Sequence, residues 1–110
     1  MTVPEFRESI AREAAPPAGL ALPLQALWHD ARSDWNRAHA CAQDDHGRNG
    51  SWVHAYLHRK EGDLGNADYW YARAARKMPA KAVTLEAEWA AIAQELLAGA
   101  AQTEAGGPGT

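Results

Sequence analysis

The sequence predicts an all-α fold: two stacked helix-turn-helix hairpins with a flanking helix at each end. Three observations carry the prediction. A unit with a 29-residue spacing occurs twice, clearly from Ser51 to Pro79 and faintly from about Leu22 to Gly50. Ala26-Leu-Trp-His29 overlays Ala55-Tyr-Leu-His58, and Asp34-Trp35-Asn-Arg-Ala38 overlays Asp63-Leu64-Gly-Asn-Ala67, keeping Ala, His, Asp and Ala in register. Apolar residues recur at steps of three and four, as on one face of a helix, and Gly, Ser, Asp and Pro punctuate the runs between. At 110 residues the chain holds one domain with a core near the lower end of self-sufficiency, and five Trp enlarge what that core buries.

Each element follows from local chemistry. Thr2, with Glu5 three residues on and Pro4 in the first turn, reads as a capping box opening a helix that buries Phe6 and Ile10; Ala15-Pro-Pro-Ala-Gly19 ends it. The second helix begins near Pro23 and carries Leu24, Leu27, Trp28 and Ala31 on one face. Ser33 and Asp34 form the turn, and Asp34 caps a third helix with Trp35, Ala38, Cys41 and Ala42 inward, up to about Asp45. His46-Gly-Arg-Asn-Gly50 is expected as a loop. Ser51 caps the fourth helix, Trp52 to Glu61, and Gly62-Asp63 repeats the turn. The fifth helix places Leu64, Ala67, Tyr71, Ala74 and Met78 on one seam that stops at Pro79, with Tyr69 and Trp70 widening the buried face. A last helix from Thr84 to about Gly99 carries Leu85, Trp89, Ile92, Leu96 and Leu97, with Glu86, Glu88 and Glu95 outside, as a solvating cap. Residues 1–99 are thus one helical-repeat domain, and 100–110 an Ala/Gly/Pro/Thr-rich tail expected to be disordered.

Charge and cysteine content exclude several classes. With 11 basic and 14 acidic residues the net charge is −3, and no Lys/Arg run follows a phosphate backbone, which disfavours nucleic acid. Cys41 is the lone cysteine, so no internal disulfide forms and a reducing, cytoplasmic setting is expected. No leader-like start and no long apolar run suggest a signal peptide or a membrane span. A Gly-x-Ser-x-Gly elbow and a Gly-rich phosphate loop are both missing.

Ser51 to Pro79 resembles a tetratricopeptide repeat: Ala55, Gly62, Leu64, Ala67, Tyr71, Ala74 and Pro79 fall where that pattern places them. The earlier unit departs from it, with Ser33 for the turn Gly, Ala42 for Tyr71 and Asp45 for Ala74, and both units are several residues shorter than the usual repeat. The segments Trp28-His-Asp30, His54-to-Asp63 and Asn66-Ala-Asp-Tyr-Trp-Tyr71 are further similar to small, uncharacterised bacterial proteins. The resemblance implies stacked hairpins whose first helices line a concave, partner-binding surface.

The fourth helix supplies two candidate sites. Trp52, Tyr56 and Arg59, with Lys60 beside them, form an aromatic and basic strip, the composition of an interaction hot spot suited to a protein or peptide with an acidic residue or free carboxylate. Read structurally, the same residues pack against the preceding hairpin. His54 and His58, at i and i+4, form a second strip with Glu61 one turn on, and His29 occupies in the first unit the place of His58 in the second. Stacking would then gather His29, His54, His58 and Glu61 as ligands for Zn or another transition metal, in a metal-binding protein or metal-dependent enzyme. Ordinary inter-helix hydrogen bonding of these imidazoles is the structural alternative. A non-enzymatic interaction module is the leading expectation, with no catalytic residue and no cofactor. Metal binding is its rival, and a homodimer through an exposed apolar edge is a further alternative.

Overall fold

The two turns of the repeat are superposable residue by residue. In the first, Ser33 N–H donates to Asp30 O (2.9 Å), Asp34 N–H to His29 O (3.0 Å) and Ala38 N–H to Asp34 O (3.0 Å). In the second, Gly62 N–H donates to Arg59 O (3.1 Å), Asp63 N–H to His58 O (3.0 Å) and Ala67 N–H to Asp63 O (2.9 Å). Asp34 and Asp63 each cap the following helix by accepting from the backbone N–H three residues on, Arg37 and Asn66. The left-handed residue is Ser33 (φ 62°) in one turn and Gly62 (φ 90°) in the other. Glycine adopts that conformation without strain, whereas serine does so at a cost of roughly 1 kcal/mol.

The computed structural model describes the backbone of residues 1–106 and the side chains of residues 1–100. Among the described residues the chain is all helical, with six helices and no strand: α1 (Val3–Arg12), α2 (Leu22–Ala31), α3 (Trp35–Asp44), α4 (Arg48–Glu61), α5 (Leu64–Arg73) and α6 (Leu85–Gly106). α2 packs along α3, α4 along α5, and α3 against α4, while α6 lies across α2 and α4 with α1 beside it. The Thr2 capping box forms as expected, with Thr2 Oγ1 accepting from Glu5 N–H and Glu5 returning to Thr2 N–H. No described helix is long and apolar enough to cross a membrane.

Helix α4 is the axis of the core. Every residue from Gly50 to Leu57, and His58 after it, is buried. Its start corrects the expected loop at residues 46–50: Gly47 is the N-cap, and Arg48, Asn49 and Gly50 already form its first turn. The glycine expected to break structure is there for close approach, since a Cβ at Gly50 would lie 2.3 Å from the Asp45 carbonyl oxygen. Asp45 accepts from Gly47 N–H through its own carboxylate (2.8 Å), which turns the chain so tightly that the helix starts at once.

Three further expectations are revised. α5 stops at Arg73, not Met78: Ala75 turns left-handed (φ 57°) and Arg76 N–H closes on Tyr71 O, so Met78 reaches the core from a connecting segment, and Leu64, at the start of the helix, is largely exposed. In α2, Ala31 is exposed while His29 and Asp30 are buried. Helix α6 continues past Gly99 to Gly106, so residues 100–106 of the expected disordered tail are helical; 107–110 lie outside the described residues.

Helix α6 is also more than a cap at one end of the bundle. Trp89 donates from Nε1 to Leu27 O (3.1 Å) and stacks on Phe6 at 5.8 Å, tying α6 to α2 and α1. Glu88, expected outside, is buried: its carboxylate takes the Arg59 guanidinium at 2.9 Å and the Tyr71 hydroxyl. The helix therefore covers the face of α2 and α4 that a concave groove would leave open.

Candidate metal centre

Three histidines meet on the α3–α4–α5 side of the molecule. His39 comes from α3, and His54 and His58 from α4; one nitrogen of each lies within 4.8 Å of one from the other two. The α4 pair arises from i, i+4 spacing, and the rings sit 4.8 Å apart. His39 meets them edge-on, at 4.5 Å from His54 and 5.3 Å from His58.

Tryptophans on either side fix the rings. Trp35, one turn before His39 on α3, stacks on it at 4.8 Å and anchors its own indole N–H to Leu57 O (3.1 Å). Trp70 of α5 stacks on His54 at 3.9 Å. On the remaining side, Glu61 Oε1 holds His58 Nδ1 at 2.6 Å, leaving Nε2 for another partner. A carboxylate on the second nitrogen is how metal-ligating imidazoles are usually oriented and made more basic. Among the described residues the His39 and His54 nitrogens make no such hydrogen bond. Glu61 and Asp63, both exposed, each bring a carboxylate oxygen within 4.8 Å of a His58 nitrogen.

Burial favours the neutral form of two of the three rings. Burial, reinforced by the neighbouring His39 and His58, pushes His54 down to about 4. Burial likewise lowers His39, with His58 adding to the effect and Glu61 opposing it. Neutral imidazole is the species that binds metal, so neither ring gives up a proton to do so at neutral pH.

His29 belongs to neither ligand group among the described residues. It is buried at the end of α2 against the edge of Trp28, where burial and the nearby Arg37 lower its pKa. Its carbonyl accepts from Asp34 N–H as that of His58 accepts from Asp63 N–H, so His29 and His58 share a place in the turn but not in the imidazole cluster. The third histidine, His39, follows Trp35 by four residues on α3, which explains its stacking on that ring, but no spacing in the sequence places it against α4.

Trp52, Tyr56 and Arg59 of the aromatic and basic strip are packed or paired within the molecule, while Lys60 stays exposed. Trp52 is buried under the Arg76 guanidinium (3.8 Å). Tyr56 is buried and donates to Asp30 Oδ2 (3.0 Å), and burial with the adjacent Asp30 carboxylate raises its pKa. Arg59 pairs with Glu88 and donates to Val83 O, while Lys60, the most accessible of the four, holds Asp30 Oδ1 at 2.9 Å. No family model matches the chain, and neither a curated protein nor a solved structure does.

Proposed function

We propose that this protein binds a divalent transition-metal ion on His39, His54 and His58, with Glu61 orienting His58. The observation that carries the reading is a trio of imidazoles from two helices, His54 and His58 buried and His39 half-buried, each ring fixed by a stacked Trp or a carboxylate. Three imidazole nitrogens suit zinc, nickel, copper or iron, and a three-ligand set leaves a position for water or substrate, the arrangement of hydrolytic and oxygen-using centres. Within this reading the repeated turns support a tetratricopeptide-like arrangement of α2 to α5, used as a scaffold for the centre. An interaction surface on Trp52, Tyr56, Arg59 and Lys60 has the weaker support, because α6 and the ion pairs occupy that face.

Equilibrium dialysis of tag-free protein against Zn²⁺, followed by elemental analysis, tests the reading. One equivalent is expected in the wild type and in His29→Ala. His39→Ala and His54→Ala each lose about tenfold or more in affinity. Uptake that survives His39→Ala but not His29→Ala would reinstate the trio read from the repeat. Absence of stoichiometric uptake by the wild type would overturn the proposal.

A further inference from the structure

The opposite face of α4 carries a second polar constellation. Tyr56 and Lys60 follow His54 and His58 by two residues each, a rotation of about 200°, and so point away from the imidazoles. They open on a cleft of about 460 Å³ formed by α1, the end of α2, α4 and the first turn of α6, a size typical of small-molecule sites. At its floor lies Asp30, 3% exposed, which takes the Tyr56 hydroxyl on one carboxylate oxygen and the Lys60 ammonium on the other.

What the cleft binds follows from which polar atoms remain accessible. The Asp30 oxygens are buried and engaged, so they do not present an anion to a ligand. Lys60 is 38% exposed and has spent one of three donors on Asp30, leaving two N–H groups for an acceptor. Arg7, exposed on α1, is laid across the Trp89 ring at 4.7 Å, so a second cation stands at the same opening. Ile10, Leu85 and Trp89 supply an apolar wall. Glu86 also lines the cleft, but it is exposed at the rim, where water and salt screen it. An ion pair with one buried end, such as Asp30–Lys60, stabilises a fold less than apolar packing does. Its effect is to hold the ammonium still at the mouth of the cleft, which removes the ordering cost that a free lysine meets on binding.

We infer that this cleft binds a small organic carboxylate, its anion between Lys60 and Arg7 and its apolar body against Ile10, Leu85 and Trp89. The inference is independent of the metal centre, which faces the other side of α4.

A ¹H–¹⁵N NMR titration at constant ionic strength, using sodium benzoate, benzyl alcohol and benzylamine as probes of one shape and three charges, tests it. Benzoate is expected to give saturable shifts at the Trp89 indole and at the Ser33 and Lys60 amides, and the neutral alcohol to bind about tenfold or more weakly. Arg7→Gln, an exposed change, weakens benzoate by about fivefold. Because Lys60→Gln alone strands the buried Asp30, the paired variant Asp30→Asn with Lys60→Gln is the companion, and it is expected to abolish saturable binding. Benzylamine binding more tightly than benzoate, absence of saturable shifts with benzoate, or unchanged benzoate affinity in both Arg7→Gln and the paired variant would overturn the inference.

Discussion

Residue by residue, the chemistry of this chain is concentrated on α4, and its polar groups are buried in sets. His54 and His58 were legible in the sequence because i, i+4 spacing fixes two side chains on one helix face whatever else the chain does. His39 was not, because its position beside them depends on how α3 lies against α4, and helix packing leaves no period in the sequence. Glu88 was hidden for a related reason: a glutamate in an amphipathic helix reads as solvated until Arg59 and Tyr71 converge on it. The lowered His54 makes a prediction at this scale. Its folded pKa of about 4 lies below the ordinary value of 6.5, so the unfolded chain takes up the proton first. Stability is therefore unaffected by this group above about pH 6.5 and falls as pH drops toward 4, by on the order of 2 to 3 kcal/mol. Urea unfolding at a series of pH values checks it. His54→Gln should flatten that slope, and an equally steep slope in the variant would show that other groups are responsible.

Among the elements, helix starts and stops depended on contacts that the local sequence signals only in part. The capping box of α1 and the Asp caps of α3 and α5 were readable because the cap and its partner lie within four residues. The start of α4 was not, since Gly50 is explained by the approach of Asp45 and not by its own flexibility. Likewise α5 ends before Pro79, the residue that looked like its stop, because the chain turns left-handed at Ala75. Two substitutions separate the uses of small residues. Gly50→Ala forces a methyl group against the Asp45 backbone and should cost about 1 to 3 kcal/mol. Ser33→Gly relieves a left-handed residue that Gly62 already relieves in the second turn, and should stabilise by up to about 1 kcal/mol. Thermal or urea denaturation of both variants is the check; stabilisation by Gly50→Ala, or destabilisation by Ser33→Gly, would contradict this view of the turns.

For the whole molecule, the decisive feature is where α6 goes. The repeat and its register carried the all-helical character and the two turns, but nothing in the period says that the last helix crosses α2 and α4. That crossing buries Tyr56, engages Arg59 through Glu88, and leaves Lys60 at the rim of a cleft in place of an open groove. With that face covered, the imidazole cluster between α3 and α4 is the constellation best arranged for chemistry. Long-range ¹H–¹⁵N NMR of the imidazole rings during Zn²⁺ titration of the tag-free protein reports on every histidine at once. One equivalent of Zn²⁺ is expected to move the ring nitrogens of His39, His54 and His58 while those of His29 and His46 stay in place. An unchanged trio at stoichiometric Zn²⁺, or a response at His29 in place of His39, would contradict the proposed metal binding.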